Sequence, residues 1–309
     1  MSARRALVTG ATGGLGLSLC AALSEAGYQV RATGRSSANA ERLKQSGAEF
    51  VQGDLLTMDL QALCIGIDVI FHAAALSSPW GPAAAFRAIN VDATGDLLSA
   101  AKASGAHAFV FVSSPSIYAS LRDQVALTEE SPLPHRALNA YAHTKRIAED
   151  IVLAANTANF RTVSVRPRAL IGADDKVLLP RILALASRGW FPAIRGGRAL
   201  IELTDVRDAA AALVLADQNI AKSNGKAINI SGGQPTSVAD LISQLSTALN
   251  RPVTLWPVPI QLALTLARAA EVVCHRGDLV DERGESCTAL DDAARCRRCC
   301  SSGLRRAGL

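Results

Sequence analysis

Short apolar runs alternate with longer amphipathic segments through the first half of the chain. Six runs have the length and the branched or aromatic side chains of buried strands: ALVTG, YQVRAT, AEFVQGD, DVIFHAAA, AFVFVSS and FRTVSVRP. The segments between them have helix length, and the first, LGLSLCAALSEAG, ends at Gly27. This alternation predicts an α/β fold, a doubly wound parallel sheet with helices on both faces.

The pattern changes after Pro167. A helix is predicted from about Arg207 to Asp217, then a strand in KAINISGG, then a helix in SVADLISQLSTALN, for which Ser237 is a suitable N-cap. The Pro-rich RPVTLWPVPI precedes an apolar helix at 260–273. These elements predict a second, smaller α/β lobe toward the carboxyl terminus.

The composition is that of a globular protein. Hydrophobic residues make up 49% of the chain and charged residues 19%. No apolar run reaches the ~18 residues of a membrane-spanning helix without meeting a charge, and the 260–273 helix carries Arg268 and Glu271. The first strand begins close to Met1 and leaves no room for a signal peptide, which predicts a cytoplasmic protein.

The net charge of +5 does not indicate a nucleic-acid partner. Five arginines and two aspartates follow Cys287, so this end contributes +3 and the rest of the chain only +2. No basic stripe interleaved with aromatic side chains occurs elsewhere, and we predict no nucleic-acid partner.

Cysteine is concentrated at the carboxyl end, where four of the seven cysteines lie. CRRCC could supply metal ligands, but the segment lacks histidine and lacks paired Cys-x2-Cys knuckles, so we predict no metal site. Residues 284–309 also have almost no large apolar side chains, which predicts a disordered or aberrant tail. Cys20, Cys64 and Cys274 have apolar surroundings and are interpreted as buried thiols.

A glycine-rich turn follows the first strand in VTGATGGLG. Gly10, Gly13 and Gly16 have the spacing G-x-x-G-x-x-G at a strand-to-helix junction. Small residues there let backbone N–H groups and the positive end of the helix approach a pyrophosphate closely. A tight turn without a ligand is the alternative interpretation of the same residues.

The residues after the second strand bear on which dinucleotide would bind. VRATGRSSANA contains no acid between Glu25 and Glu41, whereas Arg35 lies in the position from which a ribose is read. A guanidinium forms charge-assisted hydrogen bonds with a 2′-phosphate, so NADP(H) is favoured and NAD(H) is the second choice. A solvated surface arginine is the alternative.

A tyrosine and a lysine are spaced for acid–base chemistry in Tyr141-Ala-His-Thr-Lys145. Residues four apart share a helix face, and an ammonium beside a phenol lowers the pKa of the phenol toward neutrality. Hydroxyls at Ser113 and Ser114 end the strand FVFVSS and add a hydrogen-bond donor.

Together these motifs resemble the extended short-chain dehydrogenases/reductases, the NAD-dependent epimerase/dehydratase superfamily, and within it the 3β-hydroxysteroid dehydrogenase type. The resemblance runs from about Leu7 to about Gly233. It is carried by TGATGGLG, GDL at Gly53, HAAA at His72, NVDAT at Asn90, VSSPSIY, YAHTK, VRPRALIG and TDVRDAAAA. It implies a Rossmann-type NADP-binding domain over 1–168 and 205–232 and a substrate-binding lobe over 169–204 and 233–283.

The resemblance also implies roles for individual residues. Ser114, Tyr141 and Lys145 would be catalytic, with Tyr141 as proton donor or acceptor and Ser114 polarising the substrate oxygen. The implied cofactor-binding residues are Gly10, Thr12, Gly13, Gly14, Leu15, Gly16, Arg35, Asp54, Leu55, Ala73, Ala74, Ala75, Asn90, Tyr141, Lys145, Arg166 and Pro167. For His72 and Asn90 a satisfied buried polar group is an equal alternative, and a homodimer is compatible with the resemblance.

Departures from the superfamily pattern narrow the expected reaction. The acidic pair of sugar-nucleotide dehydratases is absent after Ser114, and Arg168 lies near the position of an asparagine typical of UDP-sugar epimerases. We therefore expect an oxidoreductase for a hydrophobic secondary alcohol and its ketone. An epimerase and a non-catalytic, redox-sensing NADP-binding regulator are the alternatives. Trp190, Phe191, Trp256 and the 260–273 helix would line an apolar pocket or belong to the ordinary core.

Overall fold

The computed structural model describes residues 3–78, 81–175 and 178–265. The strands are β1 (Arg5–Thr9), β2 (Gln29–Gly34), β3 (Glu49–Gln52), β4 (Val69–His72), β5 (Ala108–Val112), β6 (Arg161–Pro167), β7 (Leu170–Ile171), β8 (Trp190–Ile194), β9 (Leu200–Glu202), β10 (Thr204–Asp205), β11 (Ala227–Ile230), β12 (Pro235–Ser237) and β13 (Thr254–Val258). The α-helices are α1 (Gly14–Glu25), α2 (Ala40–Gln45), α3 (Leu60–Cys64), α4 (Ala83–Arg87), α5 (Ala93–Ala103), α6 (Ala140–Ala154), α7 (Leu179–Ala186), α8 (Val206–Gln218), α9 (Ile220–Ser223) and α10 (Val238–Ala248).

Seven parallel strands form the central sheet, in the order β11-β6-β5-β4-β1-β2-β3. The six apolar runs and the strand predicted in KAINISGG form this sheet, so the predicted parallel α/β fold is confirmed. β1 pairs with β4 on one side and with β2 on the other. The strand order therefore reverses at β1, and in open α/β sheets a ligand crevice opens beyond the carboxyl ends of the strands at such a point.

The period of two along each strand explains the two cores. In β1, Ala6 and Val8 pack with α1 and α8 on one face, whereas Leu7 packs with α3, α5 and α6 on the other. The same alternation separates Phe71 from Ile70 in β4. Because both faces of the sheet are apolar and covered by helices, the sheet is doubly wound, as predicted.

Side-chain caps fix where two of the predicted helices begin. The Asp205 carboxylate accepts a hydrogen bond from the Arg207 backbone N–H, so α8 begins at Val206. Ser237 Oγ accepts from the Asp240 N–H at 3.0 Å at the start of α10, which confirms Ser237 as the N-cap.

The strands after β6 that lie outside the central sheet form three two-stranded sheets: β7 pairs with β10, β9 with β12, and β8 with β13. The domain boundaries given above stay a prediction. The described chain is helical from 260 to 265, whereas the remainder of the 260–273 helix, Cys274 and the 284–309 tail lie outside the described residues.

Two of the predicted buried thiols are confirmed. Cys20 and Cys64 are buried, and burial raises the pKa of Cys20 to about 12 and that of Cys64 to about 11. Both are therefore protonated near neutral pH and unreactive. Within the described ranges, no helix has the length and apolar character needed to cross a membrane.

Candidate active site

A cavity of about 710 Å³ opens at the carboxyl ends of the central strands. Fifteen of the predicted site residues line it: Gly10, Thr12, Gly13, Gly14, Leu15, Gly16, Arg35, Asp54, Leu55, Ala73, Ala74, Ala75, Ser114, Tyr141 and Pro167. Asn90, Lys145 and Arg166 are not among the lining residues and lie behind the wall. The structure thus brings together residues from the ends of six strands of the sheet, β1 to β6.

The glycine turn is packed too tightly for side chains. Gly10 has a φ of 67°, and a Cβ on it would lie 2.7 Å from the Ala74 nitrogen. A Cβ on Gly16 would lie 2.3 Å from the Gly10 carbonyl oxygen. α1 starts directly after this turn, and its Gly13 N-cap makes no side-chain hydrogen bond to the first N–H groups. A cradle of small residues at the uncapped end of a twelve-residue helix fits a pyrophosphate.

A buried hydrogen-bond chain supports the cavity wall at Ala74. Thr94 Oγ1 donates to the Asn90 carbonyl at 2.8 Å and therefore accepts from His72 Nε2 at 2.9 Å. His72 Nδ1 then accepts from Thr9 Oγ1 at 2.7 Å, and the Thr9 oxygen accepts from the Ala74 N–H at 3.2 Å. Burial lowers the pKa of His72 to about 3, so the ring is neutral and held in one tautomer. His72 is a satisfied buried group that fixes the wall.

Asn90 ties the cavity wall to α6 from behind. It lies in a single π-turn, Ala88–Asp92, and its Oδ1 accepts from the Leu76 N–H at 2.7 Å. Its Nδ2 donates to the Leu76 carbonyl at 3.2 Å and to Thr144 Oγ1 at 3.1 Å. The amide therefore positions the loop after β4 against the helix that carries Tyr141.

Tyr141 and Ser114 meet at the cavity wall. Asn139 caps α6, because its Oδ1 accepts from the Ala142 N–H at 2.8 Å, and this places Tyr141 in the first turn. Ser114 ends the β5 segment and begins the 3₁₀ turn Pro115–Tyr118. Burial raises the pKa of Tyr141, and a hydrogen bond from the Ser114 hydroxyl to the phenol oxygen lowers it in part. The prediction of a phenol with a lowered pKa is wrong, because burial outweighs that hydrogen bond.

Lys145 lies behind Tyr141 rather than on the cavity surface. Its Nζ donates to the Val112 carbonyl at 2.6 Å and lies 4.1 Å from the centre of the Phe111 ring. Burial lowers the pKa of Lys145 to about 7, whereas the negative charge of Glu149 acts in the opposite direction. The ammonium is thus committed to the end of β5, directly beneath the turn that carries Ser113 and Ser114.

Arg166 departs most clearly from its predicted role in the cavity. Its guanidinium donates to the Glu149 carboxylate and to the Tyr118 hydroxyl in the interior, and its side chain is only 6% exposed. The reason is the period of two in β6: Val163 and Val165 pack in the α1–α8 core, so Arg166 points to the α6 side. Pro167, one residue later, lines the cavity as predicted.

Arg35 lies at the mouth of the cavity. Its side chain is 69% exposed, and Nη1 lies 4.0 Å from Asp54 Oδ2. Its backbone carbonyl accepts from Gln52 Nε2 at 2.9 Å, which fixes the backbone but leaves the guanidinium extended toward solvent. A cation held at this edge can meet a phosphate on the ribose end of a dinucleotide.

Sequence reasoning missed an ion pair that holds Asp174, a residue of the cavity lining, against α2. Arg42 on α2 forms a bidentate ion pair with Asp174, with N···O distances of 2.7 and 2.9 Å. The Asp174 carbonyl oxygen lies 2.8 Å from where a Cβ of Gly14 would be. These partners are 132 positions apart, and no local pattern connects them.

Trp190, Phe191 and Trp256 are not among the described residues that line this cavity. Trp190 and Trp256 instead pack edge to face with ring centres 5.6 Å apart, across the β8–β13 pair. The apolar part of the cavity is built from other side chains: Ile89, Leu170, Ile171, Leu178 and Val206. Trp190, Phe191 and Trp256 therefore do not supply the apolar lining of this cavity, and most of the 260–273 helix predicted with them lies outside the described residues.

This chain is similar to known proteins in sequence and in fold. The family model for the NAD dependent epimerase/dehydratase family matches residues 6–231. A 2-alkyl-3-oxoalkanoate reductase of Shewanella oneidensis is 32% identical over 278 residues, which are 86% of this chain and 71% of the relative. The human sterol-4-alpha-carboxylate 3-dehydrogenase, decarboxylating, is 26% identical over 264 residues, 83% of this chain and 70% of the relative.

A solved structure shows the same architecture. A short-chain dehydrogenase/reductase superfamily protein from Agrobacterium tumefaciens, with bound NAD, is 26% identical, with a TM-score of 0.70. The match covers 83% of this chain and 86% of that protein.

Proposed function

Because this chain belongs to the NAD-dependent epimerase/dehydratase family, we propose that it is an NADP(H)-dependent oxidoreductase that interconverts an apolar secondary alcohol and its ketone. The observation that carries the proposal is the pairing of Tyr141 and Ser114 on the wall of a cavity that also contains the uncapped amino end of α1. An acid and an anion cradle in one cavity suit a dinucleotide-dependent reaction at an oxygen atom.

The catalytic groups have separate tasks. A bound nicotinamide supplies the hydride for ketone reduction and accepts it in alcohol oxidation. The Tyr141 phenol, whose raised pKa keeps it protonated at neutral pH, donates its proton to the ketone oxygen and recovers it in the reverse reaction. Ser114 orients the phenol and donates to the substrate oxygen. The Lys145 charge stabilises the phenolate after the proton has left.

The residues that would hold the dinucleotide lie along the strand ends. Backbone N–H groups of the turn from Gly13 to Gly16 bind the pyrophosphate at the start of α1. Arg35 would bind the 2′-phosphate, Asp54 would contact the adenine, and the Ala73–Ala75 segment would lie along the cofactor. A homodimer and a cytoplasmic location stay predictions.

The substrate is proposed to be apolar because part of the cavity lining is aliphatic. Two relatives carry names that describe reactions at an oxygen of an alkyl-chain or sterol compound. The segment SPSIY, which begins at Ser114, lacks the acidic pair that a sugar-nucleotide dehydratase carries after this strand, and Arg168 is paired with Glu202 at 3.8 Å. These features favour a reductase over an enzyme acting on sugar nucleotides.

The proposed function is tested by following NADPH absorbance at 340 nm with purified protein. We expect oxidation of NADPH with a long-chain 2-alkyl-3-oxo acid or a 3-oxosteroid, and none with UDP-glucose or UDP-galactose. Conversion of one UDP-sugar into the other would contradict the proposal in favour of an epimerase. Tight NADPH binding without turnover of any carbonyl compound would favour a redox-sensing regulator.

Replacement of Arg35 by alanine tests the cofactor preference. The change removes charge-assisted hydrogen bonds to the 2′-phosphate, which are worth about 1.5 to 3 kcal/mol, so NADPH should bind roughly 10- to 100-fold more weakly. NADH lacks this phosphate, and its dissociation constant should be nearly unchanged. Arg87→Ala is the matched control, because Arg87 is 67% exposed and lies outside the cavity lining. Equal losses for both cofactors would show that Arg35 does not bind the phosphate.

A further inference from the structure

A second charged group lies one helical turn beyond Lys145. Glu149 shares a face of α6 with Tyr141 and Lys145, because the three residues are spaced four apart. Its carboxylate is buried and accepts hydrogen bonds from Ser164 Oγ at 2.7 Å and from Arg166 Nε at 2.9 Å. A buried charge of this kind is costly unless partners compensate it, and here Arg166 does so.

Arg166 extends this pair to the turn that carries Ser114. Its guanidinium also donates to the hydroxyl of Tyr118, which ends the 3₁₀ turn that begins after Ser114. One arginine therefore joins two elements: the turn that presents Ser114 and the helix that presents Tyr141. Tyr118, Glu149 and Arg166 are not among the residues that line the cavity.

Glu149 also faces the lysine. Lys145 bonds the end of β5, and Glu149 bonds β6, the neighbouring strand in register, where Val112 pairs with Val165. In the described chain, charge effects connect Lys145 with Glu149 on its own helix and with His72 on β4. Tyr141 lies one turn before the lysine on α6, and Arg166 on β6 is bonded to Glu149. His72 is neutral, so Glu149 is the anion that balances the lysine charge.

We propose that Glu149, held by Arg166, is a positioning residue that keeps Lys145 ionised and locks the Ser114 turn against α6. This inference rests on the proposed oxidoreductase function. Burial of Glu149 favours its neutral form, but the hydrogen bonds and charge of Arg166 reverse that effect and lower its pKa, so it is ionised at neutral pH. Its field then opposes the burial that lowers the pKa of Lys145 to about 7.

The direction of the effect follows from the lysine. Lys145 carries its charge only below its pKa, so activity that needs the ammonium is lost as the pH rises through that pKa. Glu149→Gln removes the stabilising anion and lowers the pKa of Lys145 further. The alkaline limb of the kcat profile for ketone reduction should therefore move to lower pH, by about one unit or more for the loss of a nearby opposite charge.

Two further variants keep the test independent of folding. Glu149→Gln leaves Arg166 buried without its anion, whereas the double variant Glu149→Gln with Arg166→Met removes both charges, a change that buried pairs often tolerate. Asp217→Asn is the matched control, because Asp217 is equally buried and pairs with Arg4 at 2.7 Å far from the cavity. It should lower the melting temperature without moving the pH profile.

The experiment measures kcat against pH together with NADPH binding against pH by cofactor fluorescence. An alkaline limb that moves to lower pH in Glu149→Gln, and by less in the double variant because the opposing charge of Arg166 is removed as well, supports the inference when Asp217→Asn leaves the limb in place. Limbs that stay in place in both would overturn it and leave Glu149 a structural residue. If the wild-type protein binds NADPH but reduces no ketone, the proposed function fails. The binding profile, which depends on the charge of Lys145 behind the cavity wall, then decides the role of Glu149 by the same criterion.

Discussion

Replacing Tyr141 with phenylalanine should lower kcat for ketone reduction by about 100-fold or more, because general acid catalysis contributes roughly 10²- to 10⁴-fold. The variant removes the transferable proton and the oxygen that accepts the hydrogen bond from Ser114, but it keeps the ring. NADPH should bind with nearly unchanged affinity, since the phosphate cradle lies on α1 and not on α6. Steady-state kinetics and a fluorescence titration with NADPH measure the two quantities separately.

The chain provides its own control for this experiment. It contains three tyrosines, and Tyr28 donates to Asp217 at 2.7 Å on the far side of the sheet. Tyr28→Phe should therefore weaken stability and leave kcat unchanged. Near-normal turnover in Tyr141→Phe would remove Tyr141 from the mechanism and with it the proposed acid.

The fold could be predicted from local sequence pattern because each strand of the central sheet shows its burial in its own apolar residues. In β1 the order Ala6, Leu7, Val8 is apolar on both faces, which only a strand buried between two helical layers allows. Caps such as Ser237 are equally local, since donor and acceptor lie within one turn. Local predictions of this kind are correct where the tertiary packing favours the same strand or helix.

The site was predictable only in part, because much of it depends on distant partners. Ser164 and Arg166 occupy the same face of a strand whose other face holds Val163 and Val165, so the sequence shows that a polar partner is needed. It does not show that the partner is Glu149, on another element. Likewise the Tyr141–Lys145 spacing says nothing of how deeply the lysine is buried, and burial decides its pKa.

Replacing Gly16 with alanine should weaken NADPH binding by roughly 100-fold or more, since losing two charge-assisted hydrogen bonds of about 1.5 kcal/mol each has this effect. A Cβ at this position meets the Gly10 carbonyl oxygen at 2.3 Å and the Ala11 Cα at 2.5 Å. Both are backbone atoms, so the turn itself must move. The melting temperature should fall as well, because overpacking a rigid site is destabilising.

A loss at Gly16 alone would not separate a phosphate cradle from a tight turn, and Gly13 provides that distinction. A Cβ on Gly13 approaches only the Gly10 carbonyl oxygen, at 3.4 Å, which is ordinary contact, so Gly13→Ala should leave the melting temperature nearly unchanged. If the turn binds the pyrophosphate, the added methyl group at the start of α1 still weakens NADPH binding. Gly95→Ala is the control, because a Cβ there meets nothing within 4 Å and alanine favours the interior of α5. Unchanged NADPH affinity in Gly13→Ala would show that the glycine turn has a structural role only and does not bind the pyrophosphate.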